Sequence, residues 1–133
     1  MPKEKVLVVD DNPDMVEVIS EIFTRRGFEV VTATNGQEAL AKVYQERPDL
    51  VLLDVMMPML DGYEICRTLK TVEETKHIPV IFVTVKGLEA DIDRGFAVRA
   101  DGYIVKPFDP TELPDFAEKV LAKVRNQQNL TLN

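Results

Sequence analysis

Polar side chains stand at the ends of four apolar runs in this sequence, and they are the residues best suited to chemistry. They are three aspartates, a threonine and a lysine: Asp10, Asp11, Asp54, Thr84 and Lys106. Carboxylate oxygens suit Mg²⁺, which takes few protein ligands and keeps positions open for phosphate oxygens. If the fold brings these residues together, their types indicate a magnesium site with a hydroxyl and an ammonium group beside it.

Each of these residues has an ordinary explanation when it is taken alone. An acidic pair can cap a helix, a threonine is a routine strand residue, and a lysine after a strand is commonly exposed. Three carboxylates in one partly buried cleft, by contrast, destabilise the fold unless a cation neutralises them. The order of the strands therefore decides between the two interpretations.

Strand and helix patterns alternate five times along the chain. The predicted strands are Lys5–Val9, 28–33, Leu50–Leu53, 79–84 and Gly102–Val105. Such alternation implies right-handed βαβ crossovers and a parallel sheet with helices on both faces. We predict an α/β fold, a doubly wound five-stranded parallel sheet in the common order 2-1-3-4-5, with five helices. The site would lie where strands one and three are neighbours, which brings the three aspartates to one edge.

Helical periodicity predicts which side chains face the core. On the second helix the predicted inward residues are Ala39, Leu40, Val43 and Tyr44. The third and fourth helices are predicted at Gly62–Thr71 and 88–99, and the single cysteine, Cys66, is predicted to be a core thiol.

The last helix contains a proline that has to be accommodated. With Thr111 as its N-cap, Pro114 falls in the first turn, where its missing N–H does no harm. The predicted buried stripe consists of Phe116, Val120 and Val124, with Ala117 and Leu121 beside them. We predict one domain over residues 1–125, followed by a polar tail or the start of a linker over 126–133.

The composition disfavours several functional classes. A net charge of −7 in 133 residues argues against nucleic acid as a direct partner. No apolar run approaches the roughly 20 residues of a membrane span, and the first residues lack the apolar core of a signal peptide. Together with the single cysteine, these features predict a cytoplasmic protein without a membrane partner.

The motifs resemble the receiver domain of bacterial two-component response regulators, of the chemotaxis type with a flavodoxin-like fold. The resemblance covers about residues 5–123 and includes a tyrosine on the fifth strand. It is carried by Asp10-Asp11, the stretch DVMMPMLDG that begins at Asp54, Thr84, Tyr103 and Lys106-Pro107-Phe108. A chemotaxis member of that family is itself a standard example of the 2-1-3-4-5 order.

The resemblance implies that Asp54 accepts a phosphoryl group from a sensor histidine kinase or a phosphotransfer protein. It also implies that Asp11, Asp54 and the backbone carbonyl of Met56 bind Mg²⁺ directly, while Asp10 acts through water. Lys106 and Thr84 would contact the phosphoryl oxygens. The domain would assist only its own phosphorylation and dephosphorylation, and it would not be a turnover enzyme.

The resemblance further implies a conformational switch. Thr84 would move toward the phosphoryl group, and Tyr103 would rotate into the space that it leaves. The face formed by helix 4, strand 5 and helix 5 would then bind a downstream protein, an output domain or a second copy of the chain.

Two features depart from the family pattern. Val85 stands after the switch threonine, where a small residue is usual, and we expect it either to slow both phosphoryl transfer and hydrolysis or to favour a particular donor. Ile92, Gly102 and Phe116 occupy positions that are charged in members that dimerise as transcription factors. These three residues favour a protein-binding face over a winged-helix DNA-binding output.

Three other classes fit the sequence less well. A flavodoxin-type flavin binder would need hydroxyls and amides in the first loop, which here is acidic. A haloacid-dehalogenase-type phosphatase would need a second carboxylate at the position of Met56. A receiver fold that acts as a constitutive, unphosphorylated interaction module remains the main alternative.

Overall fold

Five parallel strands alternate with five helices in the computed structural model, which describes residues 3–132, with side chains through residue 126. The elements are β1 Lys5–Val9, α1 Pro13–Arg25, β2 Glu29–Ala33, α2 Gly36–Glu46, β3 Leu50–Leu53, α3 Gly62–Thr71, β4 Val80–Thr84, α4 Glu89–Ala97, β5 Gly102–Val105 and α5 Glu112–Leu132. The sheet order is β2-β1-β3-β4-β5, which confirms the predicted topology.

The core lies on both faces of this sheet. Successive side chains of a strand point to opposite faces, so the same apolar runs supply two clusters. One cluster joins β1, β3 and β4 to α1 and α5, with Phe23 and Leu113 among its fully buried side chains. The other joins the opposite faces of these strands to α2 and α3, with Ile65 and Phe82 among its members. The four residues of β3 are buried, as a central strand covered on both faces requires.

Side-chain caps begin the first three helices. The oxygens of Asn12, Asn35 and Asp61 accept hydrogen bonds from backbone N–H groups at 2.9, 2.8 and 3.0 Å. These bonds satisfy donors that have no partner within a helix. Gly27 follows the C-cap of α1 with φ +88°, a conformation that glycine adopts without strain.

Several predicted details were wrong. Tyr44 is 46% exposed, because α2 lies over the edge strand β2 and only the inner side of its stripe is covered. β2 and β4 each begin one residue later than predicted, at Glu29 and Val80. α4 is shorter than predicted, since Leu88 is its N-cap and Arg99 has φ +70° after its end.

The last helix differs in its buried stripe and in its length. Pro114 lies in the first turn, as predicted, but Leu113 is fully buried whereas Phe116 and Val124 are only partly buried. The backbone continues as α5 through Leu132, so the predicted polar tail is helical up to that residue. Residue 133 lies outside the described residues.

Cys66 is fully buried in the core, as predicted. Burial raises the pKa of its thiol to about 12. A thiol of this kind stays protonated at neutral pH and is unreactive. Within the described residues, no helix combines the length and the apolar character needed to cross a membrane.

A buried ion pair that the sequence analysis did not anticipate joins α3 to the start of β5. The Lys70 ammonium donates to the carboxylate of Asp101 at 2.8 Å and to the carbonyl of Ile78 at 2.8 Å. The same Asp101 oxygen accepts the N–H of Val80 at 2.8 Å. The pair therefore ties α3, β4 and β5 together at the end of the sheet opposite the acidic residues.

We expect Asp101→Ala to lower the free energy of unfolding by about 2–3 kcal/mol, because the buried Lys70 ammonium loses its counter-ion and the Val80 N–H loses its acceptor. Lys70→Met should have a smaller effect, since Asp101 keeps the Val80 contact and stays partly exposed. Urea unfolding measures both, with Asp93→Ala, an exposed residue of α4, as the control. Equal losses in Asp101→Ala and Asp93→Ala would contradict this account.

Candidate functional site

The predicted site residues meet at the carboxyl edge of the sheet. Val9 pairs with Leu53 and Thr84 pairs with Val105, so neighbouring strands end at the same level. The carboxylates of the three aspartates consequently lie within 4.8 Å of one another: Asp10, Asp11 and Asp54. The predicted cluster of carboxylates is therefore present.

Lys106 reaches this cluster from the end of β5. Its ammonium nitrogen lies 2.7 Å from Oδ2 of Asp10 and 3.4 Å from Oδ2 of Asp54. One cation thus partly neutralises two buried carboxylates, which would otherwise repel each other. The Lys106-Pro107 peptide bond is cis.

Asp10 is buried and held by direct contacts with the protein. It is 2% exposed, pairs with Lys106, and accepts the N–H of Asn12 at 2.9 Å through Oδ1. Asp11, by contrast, is exposed at the mouth of the site. The two adjacent aspartates therefore have different environments, one fixed in the protein and one facing solvent.

Asp54 is 7% exposed and lies at the centre of the arrangement. Its Oδ1 accepts the N–H of Met56 at 3.2 Å, and the buried hydroxyl of Thr84 lies near enough to lower the pKa of the carboxylate. Burial raises the pKa of Asp54 above 3.8, although Lys106 acts in the opposite direction. Burial of this carboxylate therefore opposes its ionised form, and Lys106 favours that form.

The loop after β3 fixes the direction of Asp54, and Gly62 makes that loop possible. The Gly62 N–H donates to the carbonyl of Val55 at 3.0 Å. A Cβ at Gly62 would lie 2.3 Å from the carbonyl oxygen of Asp54 and 2.8 Å from Cα of Val55. Only glycine allows the start of α3 to approach the backbone of Asp54 so closely.

The donor set fits a hard divalent cation. Three carboxylates supply oxygen ligands, and the exposed position of Asp11 leaves solvent access for water or a phosphate oxygen. The Lys106 ammonium contacts the Asp54 carboxylate, and the Thr84 hydroxyl lies near it. The site therefore has the parts that phosphoryl transfer requires, which are positioning and neutralisation of charge.

Tyr103 connects this edge to the segment after β4. It lies on β5 beside Phe82, with the ring centroids 5.7 Å apart. Its hydroxyl donates to the carbonyl of Lys86 at 2.7 Å and lies 3.3 Å from the hydroxyl of Tyr63. Burial, and then the contact with Tyr63, raise the pKa of Tyr103. No sequence pattern indicates a role for Tyr63, because an aromatic residue at the start of a helix gives no sign of its distant partner.

The structure also shows the surroundings of three residues that depart from the family pattern, Val85, Gly102 and Phe116. Val85 is 60% exposed immediately after Thr84. A Cβ at Gly102 would lie 2.5 Å from the Phe116 ring, so this aromatic side chain occupies the space that a larger residue at 102 would need. Gly102 and Phe116 thus form one apolar contact between β5 and α5.

The fold and the site define a doubly wound α/β domain with an acidic cluster beside a lysine at its switch point. The family model described as "Response regulator receiver domain" matches residues 6–118. The chain belongs to this family, as the motifs predicted.

Similar proteins are regulators and single receiver domains. The "Probable transcriptional regulator ycf27" of Porphyra purpurea is 43% identical over 131 residues, which are 98% of this chain and 51% of that protein. The PhoP protein of Bacillus subtilis, named an alkaline phosphatase synthesis transcriptional regulatory protein, is 39% identical over 90% of this chain and 49% of its own length. The chain thus spans about half the length of these curated relatives.

A solved structure of the chemotaxis protein CheY4 of Vibrio cholerae has a TM-score of 0.85 and 34% identity, over 90% of this chain and 99% of that one. A CheY-like receiver domain from Methanospirillum hungatei has a TM-score of 0.88 at 25% identity, over 95% and 99%. Both of these structural matches extend over nearly the whole of the compared chains.

We expect Asp54→Asn to raise the free energy of unfolding at neutral pH, on the order of 1 kcal/mol, in metal-free buffer. The folded state raises the pKa of Asp54, so ionised Asp54 opposes folding above that pKa and the neutral amide removes this penalty. As the pH falls through the raised pKa, Asp54 itself becomes neutral and the difference should vanish.

Urea unfolding at neutral and acid pH tests this sign, with the exposed Asp93→Asn as the control. If Asp54→Asn raised the free energy of unfolding by the same amount at neutral and at acid pH, the buried charge would not be the cause of that increase.

Proposed function

We propose that Asp54 is the phosphoacceptor of this receiver domain, with Mg²⁺ as its cofactor. One observation carries the proposal: a buried carboxylate has an ammonium at 3.4 Å, two further carboxylates within 4.8 Å and a threonine hydroxyl near enough to lower its pKa. Such a carboxylate is the nucleophile that attacks phosphorus and forms an aspartyl phosphate.

The residues around Asp54 have different roles in phosphoryl transfer. Asp11, Asp54 and the backbone carbonyl of Met56 would hold Mg²⁺, and Asp10 would contribute through water or through Lys106. When bound, the ion neutralises charge on the phosphoryl oxygens. Lys106 neutralises the same oxygens from the other side, and Thr84 donates a hydrogen bond to them. Tyr103 responds to the position of Thr84.

The phosphoryl group would come from a phosphohistidine of a sensor kinase or of a phosphotransfer protein. As the aspartyl phosphate forms, the bond from phosphorus to the histidine nitrogen breaks. Hydrolysis later restores the carboxylate, so the domain assists its own modification and is not a turnover enzyme. We place the protein in the cytoplasm, and these steps would occur there.

The output side is the face formed by α4, β5 and α5. Gly102 and Phe116 stand where members that dimerise as transcription factors carry charged residues, which supports a protein partner there, either a downstream protein, an output domain or a second copy of the chain. The relatives named as transcriptional regulators support a second candidate, a transcriptional output carried by a part of those proteins that this chain does not cover.

Acetyl phosphate should add one phosphoryl group to the chain in the presence of Mg²⁺, as read by intact mass. Asp54→Asn should abolish the gain, and omission of the metal should prevent it. Lys106→Met should slow labelling about 100-fold, the effect of removing one preorganised charge-stabilising donor. Thr84→Ala should slow it about tenfold, the effect of one hydrogen bond to a charged group.

Thr111→Ala, which removes an exposed threonine hydroxyl, is the matched control and should label at the normal rate. Labelling that persists in Asp54→Asn would place the acceptor elsewhere. A folded protein that neither labels nor responds to beryllofluoride would favour the constitutive interaction module.

A further inference from the structure

α4 has few apolar contacts of its own. It has one buried residue, Gly95, whereas α3 has six. Gly95 is needed because a Cβ there would lie 2.7 Å from Cδ2 and 2.8 Å from Cε2 of the Tyr103 ring. A helix with so little buried surface opens locally unless neighbouring elements hold it. The contacts that other elements make with α4 therefore matter more than usual.

Tyr63, in the first turn of α3, makes two such contacts. Its hydroxyl donates to the carbonyl of Asp91 at 2.9 Å, and its ring lies under the guanidinium of Arg94, 4.5 Å from the ring centroid. The Tyr63 side chain is 3% exposed and packs against Phe82, with the centroids 5.3 Å apart. One rigid side chain of α3 thus holds the first two turns of α4.

The same hydroxyl lies against Tyr103. Each tyrosine hydroxyl has one proton, and the donations to Asp91 and to Lys86 use both. The 3.3 Å between the two hydroxyl oxygens is then a close polar contact that becomes a hydrogen bond only if one tyrosine releases its carbonyl. The two tyrosines therefore hold both ends of the segment 86–91 together.

This segment begins two residues after Thr84. The N–H of Lys86 donates to Oγ1 of Thr84 at 3.3 Å, and the Thr84 hydroxyl lies near Asp54, whose pKa it lowers. A chain of polar contacts consequently runs from Asp54 through Thr84 and Lys86 to Tyr103, and Tyr63 lies at its far end.

We propose that Tyr63 is a positioning residue for the Asp54 site. By holding α4 through Asp91 and Arg94, and by lying against Tyr103, it keeps the segment after β4 in the conformation that presents the Thr84 hydroxyl to Asp54. The inference rests on the proposed function, because it concerns the binding of a phosphoryl group. A ligand that uses the Thr84 hydroxyl binds more weakly when this segment must first be ordered.

Tyr63→Phe tests the proposal with the least disturbance, since it keeps the ring beside Phe82 and Arg94 and removes only the hydroxyl. We expect hydrogen exchange of the α4 amides to become about three- to tenfold faster, the factor that one net hydrogen bond provides. We also expect the affinity for beryllofluoride, titrated with Mg²⁺ and followed by NMR, to fall by a similar factor.

Tyr44→Phe is the matched control, because it removes an exposed hydroxyl from α2. Tyr103→Phe and the double variant complete a cycle, in which the two tyrosines should be non-additive if they act on one segment. The proposal is overturned if Tyr63→Phe matches Tyr44→Phe in affinity, even with faster exchange in α4, since Tyr63 would then serve stability alone. The proposal is also overturned if Tyr63→Phe binds beryllofluoride as tightly as the unmodified protein does, or more tightly.

The two proposals fail in different ways. If the unmodified protein neither labels nor binds beryllofluoride, the phosphoacceptor function fails. The exchange of α4 needs no phosphoryl group, so it still reports whether Tyr63 holds this helix. If the protein labels normally and Tyr63→Phe changes nothing, only the role of Tyr63 is refuted.

Discussion

The ammonium of Lys106 between two buried carboxylates is the interaction on which the rest of this structure depends. Asp10 and Asp54 come from different strands, and the ammonium 2.7 and 3.4 Å away offsets the repulsion between their buried carboxylates. The pairing holds together the residues that follow β1, β3 and β5. It also leaves the cluster with net negative charge, which a divalent cation can offset.

The sheet makes this arrangement rigid on one side and adjustable on the other. β1, β3 and β4 are buried almost completely, so Asp10, Asp54 and Thr84 stand on fixed ends of strands. Gly62 brings the start of α3 against the backbone of Asp54, which removes freedom from that loop. The segment between β4 and α4 is held mainly by hydroxyl groups, and hydrogen bonds of this kind can be exchanged at modest free energy.

This difference between fixed strand ends and an adjustable segment after β4 suits a signalling domain. In the proposed function, a group bound at Asp54 would change the contacts of Thr84, and the next residues lead to a helix with a single buried residue. Tyr63 and Tyr103 connect α3, α4 and β5 at this point, so a small local change can shift the population of a whole face. The buried pair of Lys70 and Asp101 anchors the opposite end of the sheet.

Local patterns in the sequence determined the elements, their caps and the residues at the carboxyl edge, since apolar runs, Asn caps and turn glycines act over a few positions. The topology was predicted because βαβ crossovers are right-handed and because 2-1-3-4-5 is a common strand order of doubly wound sheets. The exposure of Tyr44, the Lys70–Asp101 pair and the contact of Tyr63 with Tyr103 were decided only by the tertiary structure. Each depends on how far a helix extends over the sheet and on side chains 31 or 40 residues apart in the chain, and no local pattern encodes such distances.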